Sequence, residues 1–307
     1  IVFGDWSSDV CSSDLVDPFG KTGMGGPDEQ RYYRYAVARL GAFSNVMWDL
    51  ANEYRLFRDD AWAEQMGAFV KECDPYDHLT STHGHGDFRF ANSPWADFAM
   101  YQSWDEHGGY DFMLANRQRQ AQSGRLIPQV NEEYGYEDHY PQGWGENRQP
   151  PARNAASRAR LAWQIHLAGG YQTTGERANQ GTGWGPDTGG GWINGRGDDT
   201  MTLLELYGQL YDFFTSITWW ELVPDTNLVV SVQPHPAARD KSKGPSRTFA
   251  ARNAEGDLAV VYVPDGGVVT LRGDLLKDQL KPIWYSPAEG GMRNARTIRK
   301  RVYRTQI

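Results

Sequence analysis

From residue 28 to 216, short apolar, strand-like runs alternate with segments of helical period, which confines the chain to the α/β class with a parallel sheet. Residues 28–43 place Tyr32, Tyr35, Ala36, Leu40 and Phe43 near the i, i+3, i+4 pattern, with Ser44-Asn45 as punctuation. Asp59-Asp60 can cap a second helix whose apolar face is Trp62, Met66, Phe69 and Val70, ending before Asp74-Pro75. A third helix runs over 110–123 to Gly124. A fourth opens at Pro150-Pro151 and ends at Gly169-Gly170, and a fifth covers 200–216. Strands are expected at 45–54, 78–82, 98–102, 126–135 and 171–174. Past Asp225 the pattern changes to short β-rich runs at 228–232, 248–252, 258–263 and 268–271, separated by turns such as Glu255-Gly256-Asp257, which reads as a small β-sandwich.

The chain has 307 residues, enough for a (β/α)8 barrel of about 250. Yet the pattern supplies about five strands before the change. The expected fold is therefore an incomplete (β/α)8 TIM barrel, about strands 4–8, over residues 16–225, followed by an all-β sandwich domain over 226–307. Residues 4–15 have neither helical nor strand period and resemble a translated sequencing adapter, so they are set aside as non-native. Residues 293–307 turn basic without a closing strand. Both ends read as cut, and a leader peptide is not legible.

Two of the strand-like runs end in carboxylates. Asn45 to Tyr54 closes on Asn52-Glu53, and Leu126 to Gly135 closes on Glu132-Glu133. The separation, 133 − 53 = 80 residues, accommodates about three βα units at roughly 30 residues each. In a barrel that puts both carboxylates on the C-terminal rim, where catalytic side chains gather. Two such groups suit glycoside hydrolysis, in which one carboxyl protonates the leaving oxygen and the other, about 5 Å away, attacks with net retention. Glu53 is expected as acid/base and Glu133 as nucleophile; side chains alternate in a strand, so one of Glu132 and Glu133 should point inward and the other away. Asn52 could bond the sugar's 2-hydroxyl. His83 is expected as a substrate hydrogen-bonder at the rim, in preference to His85. Tyr101, Gln102 and Trp104 end the next strand as subsite candidates, while Trp144, Trp184 and Trp192 lie in long loops that could form a sugar platform.

A formal charge of −8 and a pI near 5.4 argue against nucleic acid as a partner. No apolar run approaches the roughly 18 residues of a membrane span. Cys11 and Cys73 carry no metal-ligand spacing, and neither do Asp187, Asp198 and Asp199. No metal or cofactor is expected.

Three stretches, Arg31 to Leu40, Trp48 to Tyr54 and Glu133-Tyr134-Gly135-Tyr136-Glu137, resemble the apiosidase-like glycoside hydrolases, which are clan A barrel enzymes. Trp219 to Asp225 resembles the junction to the β-sandwich, labelled collagen-binding, that follows the barrel in many members. The resemblance implies Glu53 as acid/base, Glu133 as nucleophile, Tyr136 at the substrate, a secreted or periplasmic setting, and a plant or algal polysaccharide as substrate. It also implies that three preceding strands belong to the complete barrel, so this chain alone is expected to be weakly active or inactive. Two other classes compete: a non-catalytic carbohydrate-binding or adhesion protein, and a metallohydrolase built on His83 and His85, which their alternation in a strand disfavours.

Overall fold

The computed structural model describes residues 19, 25–84, 86–104, 109–135, 137, 153–173, 202–233, 247–278 and 280–295. It forms two compact units. The first comprises Ile1–His107, Ala115–Asn154 and Gly170–Asp199, and the second Gly108–Leu114, Ala155–Gly169 and Thr200–Ile307.

The first unit is built on parallel strands that neighbour one another in chain order. β1 (Trp48–Asp49) pairs with β2 (Thr80–Ser81), and β3 (Ala99–Gln102) pairs with β4 (Gln129–Glu133), which pairs with β5 (Tyr171–Gln172). A parallel bridge between His83 and Met100 joins the two sets. The ladder beside β1 outlasts the strand itself. Trp48 N–H donates to Leu79 O, Leu50 N–H to Ser81 O and Tyr54 N–H to His83 O, so the run to Glu53 is held in register although only two residues are regular strand.

Helices α1 (Pro27–Leu40) and α2 (Asp60–Cys73) flank β1 in sequence. Asp59 caps α2 by accepting from Trp62 N–H at 2.7 Å, and Trp62, Ala63, Met66, Gly67 and Val70 form its buried stripe. That stripe joins Val46, Trp48, Leu50, Tyr54, Phe90 and Trp95 in one core. Helix α1 is tied down by charge as well. Glu29 and Arg58, both with buried side chains, pair at 3.0 Å, and Trp62 Nε1 donates to Glu29 at 3.1 Å. Burial of such ions is tolerated only with this kind of pairing.

The second unit holds α4 (Ala155–Leu167), α5 (Thr202–Thr215) and the first residues of α3 (Gly109–Ser123), with antiparallel strands. β6 (Val223–Pro224), β8 (Phe249–Arg252) and β9 (Ala259–Tyr262) make one sheet, in the order β6-β8-β9. β7 (Val229–Gln233) pairs with β10 (Val268–Leu271) through a bulge. Aromatic contacts knit helices to strands: Trp163 packs on Phe213 and Phe214 and stacks on Tyr262 at 5.7 Å, and Tyr110 meets Phe249 at 4.9 Å.

Several details differ from the sequence expectation. The helix expected from Pro150 begins at Ala155. A further hairpin, β11 (Ile283–Tyr285) with β12 (Met292–Asn294), carries Asn294 into a strand where none was expected. Tyr285 anchors it, with its ring on Phe213 and its hydroxyl donating to Gln209 O at 2.8 Å. The adapter-like residues 4–15 lie outside the described residues.

Candidate active site

The C-terminal ends of β1 to β4 converge on a polar cluster inside the first unit. Glu53 follows β1 in left-handed conformation, φ 44° and ψ 42°, a geometry that costs a non-glycine residue of order 1 kcal/mol or more and concentrates at functional positions. Its neighbours hold it there: Tyr54 N–H donates to His83 O at 3.0 Å, and Leu56 N–H to Glu53 O at 2.9 Å.

On β4, Glu133 Oε2 accepts two side-chain hydrogen bonds, one from Gln102 Nε2 and one from Trp104 Nε1 at 3.1 Å. Two donors on one oxygen suit an ionised, acceptor-only carboxylate. Ser103 N–H donates to Glu133 O at 2.9 Å, fixing the backbone beneath. Arg153, which the sequence reading passed over, is almost fully buried with its Cζ 5.0 Å from the Trp104 ring. No motif surrounds Arg153 in the sequence; only the fold brings it to Trp104.

Between the two carboxylate-bearing segments stands His83. Its Nδ1 bonds Asn52 Oδ1 and lies 3.7 Å from Glu132 Oε2, and its backbone N–H donates to Asp49 Oδ1 at 3.0 Å. Asp49 is itself buried, and burial lifts its carboxyl to about 7 despite the backbone N–H groups of His83 and Ala51 that favour the ionised form.

Three residues or pairs take a geometry different from the expected one. The His83 side chain, expected at the rim, is fully buried and is engaged with Asn52 and Glu132. Tyr101, expected at a subsite, is turned inward as well. It is 2% exposed, and its hydroxyl accepts from Gln120 Nε2 of α3 at 3.1 Å, because the residue beside Gln102 in a strand faces the other way. The strict alternation expected of Glu132 and Glu133 is broken by a register shift: Tyr101 pairs with Asn131 but Gln102 with Glu133. The structure thus forms two side-chain sets, Asn52–His83–Glu132 and Gln102–Trp104–Glu133, joined through the Glu132-Glu133 peptide, with Glu53 next to Asn52 in the chain. Tyr136, Trp184, His85, Trp144, Trp192, Asp187, Asp198 and Asp199 lie outside the described residues.

Parallel strands delivering carboxylates and their donors from consecutive C-terminal ends define a barrel-type α/β domain with a candidate polar site at the strand ends. Residues 6–175 match the apiosidase-like catalytic domain, and the chain belongs to that family. Residues 223–306 match a second family, described as the collagen-binding domain of a collagenase. A solved structure described as a glycoside hydrolase superposes with a TM-score of 0.70 at 18% identity, covering 90% of this chain and 63% of its own. A glycoside hydrolase family 5 structure from Bacteroides vulgatus gives 0.69 at 17% identity, covering 87% of this chain and 60% of its own. The chain thus spans about three-fifths of the length of these structures, and at such identities the likeness concerns the fold. No curated protein sequence matches the chain significantly. Among the described residues, no helix is long and apolar enough to cross a membrane.

Proposed function

We propose that this chain carries the catalytic groups of a retaining glycosidase that cleaves O-glycosidic bonds in plant or algal polysaccharide, apiose-containing pectin among the candidate substrates. In this reading Glu53 protonates the leaving oxygen while Glu133 attacks the anomeric carbon. Water then hydrolyses the glycosyl-enzyme, with Glu53 as base. The observation that carries the proposal is the pair of donors aimed at Glu133 Oε2, from Gln102 and Trp104. They orient a carboxylate that must attack from one direction, and they favour its ionised form. The glycoside hydrolase descriptions of the similar structures support the same class.

The domain reading goes with it: an incomplete (β/α)8 barrel, about strands 4–8, to about residue 225, and a β-sandwich after it. The test is sugar release from a panel of aryl glycosides and pectic oligosaccharides. It is run on the 307-residue chain and on a version preceded by three βα units taken from a relative. Release that is stronger in the longer version, and that falls by roughly a thousandfold or more in both Glu53→Gln and Glu133→Gln, is the expected result. Glycan binding without release, indifferent to either substitution, would favour a carbohydrate-binding protein.

A further inference from the structure

A regular strand would turn Glu132 away from the face that Glu133 occupies. The β3–β4 register skips Glu132, the two-against-one count by which a bulge re-aims a side chain. Glu133 engages Gln102, while the Glu132 carboxylate reaches the His83 ring, which bridges in turn to Asn52. We propose that Glu132 is a positioning residue that acts through His83 to fix the side-chain amide of Asn52 beside Glu53. Its effect on turnover rests on the glycosidase reading above; its effect on His83 does not.

His83 has little freedom. Its side chain is fully buried, its N–H is held by Asp49 and its C=O by Tyr54 N–H. Nδ1 therefore faces Asn52 Oδ1 and, at 3.7 Å, Glu132 Oε2, an arrangement that favours a proton on this nitrogen. The Glu132 charge favours that protonation state. Asn52 Oδ1 is then occupied by Nδ1–H, and the amide N–H2 is the side it offers to a ligand oxygen. Without the Glu132 charge, imidazole reverts toward its usual Nε2–H tautomer and sets a lone pair at Nδ1 against Asn52 Oδ1. The amide then turns over and offers an acceptor where a donor stood.

The test is the 15N spectrum of the His83 ring in the labelled chain, assigned through its ring-to-backbone correlations, for wild type, Glu132→Gln and Glu132→Asp. Melting curves establish that each variant is folded. A protonated Nδ1 in wild type and in Glu132→Asp, lost to Nε2 in Glu132→Gln, is expected. An unprotonated Nδ1 in wild type, or no change in Glu132→Gln, overturns the proposal. On a substrate that the wild type cleaves, kcat of Glu132→Gln should fall roughly ten- to a hundredfold, with KM within about twofold and part of the loss restored in Glu132→Asp. An unchanged kcat beside a changed tautomer overturns the positioning role. Absence of turnover in wild type would count against the glycosidase reading, and the ring spectrum would still decide the link from Glu132 to His83.

Discussion

Glu133 takes its orientation from side chains that are themselves held. Trp104 donates to it, and Arg153 lies over the Trp104 ring, a contact worth about 2 kcal/mol when desolvated. Arg153→Met keeps much of the bulk and removes the cation, so Trp104 should loosen and Glu133 with it. The expected outcome is a kcat lowered roughly tenfold, with little change in KM and partial recovery in Arg153→Lys. Initial rates on any cleaved aryl glycoside check this, and a rise in KM alone would assign Arg153 to substrate binding instead. At this scale the sequence disclosed what terminates an apolar run: Asn52, Glu53, Gln102, Trp104 and Glu133 could all be picked out because polar residues at a strand end must have a reason to be there. Arg153 could not, since a stacking partner far along the chain leaves no spacing to read. The inward turn of Tyr101 was legible in the alternation rule, since it does not share a face with Gln102. Glu132 is the reverse case, because a register shift suspends that rule and nothing in the sequence announces one.

Helix α2 shows what periodicity can and cannot supply. Trp62, Met66 and Val70 were legible as a core stripe, since apolar residues that recur with a period of 3.6 over several turns must share one face of a helix. The place of Gly67 in that stripe was not. A methyl group there would come 2.1 Å from Trp95 Cδ2, and Trp95 is buried with its indole N–H donating to Glu64 at 2.8 Å. Helix propensity alone favours alanine over glycine by about 1 kcal/mol. Here overpacking should outweigh it, so Gly67→Ala is expected to destabilise by about 1–3 kcal/mol. Gly208 in α5 is the control, for nothing lies within 4 Å of a Cβ built there. Gly208→Ala should stabilise by about 0.4–1 kcal/mol. Denaturant midpoints of the two variants check both signs, and a stabilised Gly67→Ala would mean that Trp95 yields. Strand extents were over-read for a related reason. The apolar run before Glu53 is long because its residues pack against α2, while regular pairing within it covers only Trp48–Asp49.

For the molecule as a whole, helix faces could be read but not what they pack against, so nothing in the sequence indicated that α4 and α5 group with the strands after Val223. Two displaced groups that the sequence did not reveal, buried Asp49 in the first unit and partly buried His166 in the second, act on stability in opposite directions. In the first unit, burial raises Asp49 from its usual 3.8 to about 7. Between those values the folded chain holds a proton that the unfolded chain has released, so this group's contribution falls as pH rises from about 4 to about 7. In the second unit, burial lowers His166, stacked on Phe214 at 4.9 Å, from 6.5 to about 4. There the unfolded chain holds the extra proton, and stability is lost as pH falls from about 6.5 to about 4. The two slopes oppose each other across the shared window, so these two groups together should contribute little net slope between about pH 4.5 and 6.5. Removing one group exposes the other. Asp49→Asn keeps an acceptor for His83 N–H, and it should make stability rise with pH over that window. His166→Gln should make stability fall with pH instead. Calorimetric melts of the three proteins at half-unit pH steps would read both slopes. Parallel profiles for wild type and both variants would show that neither group is displaced as its burial requires.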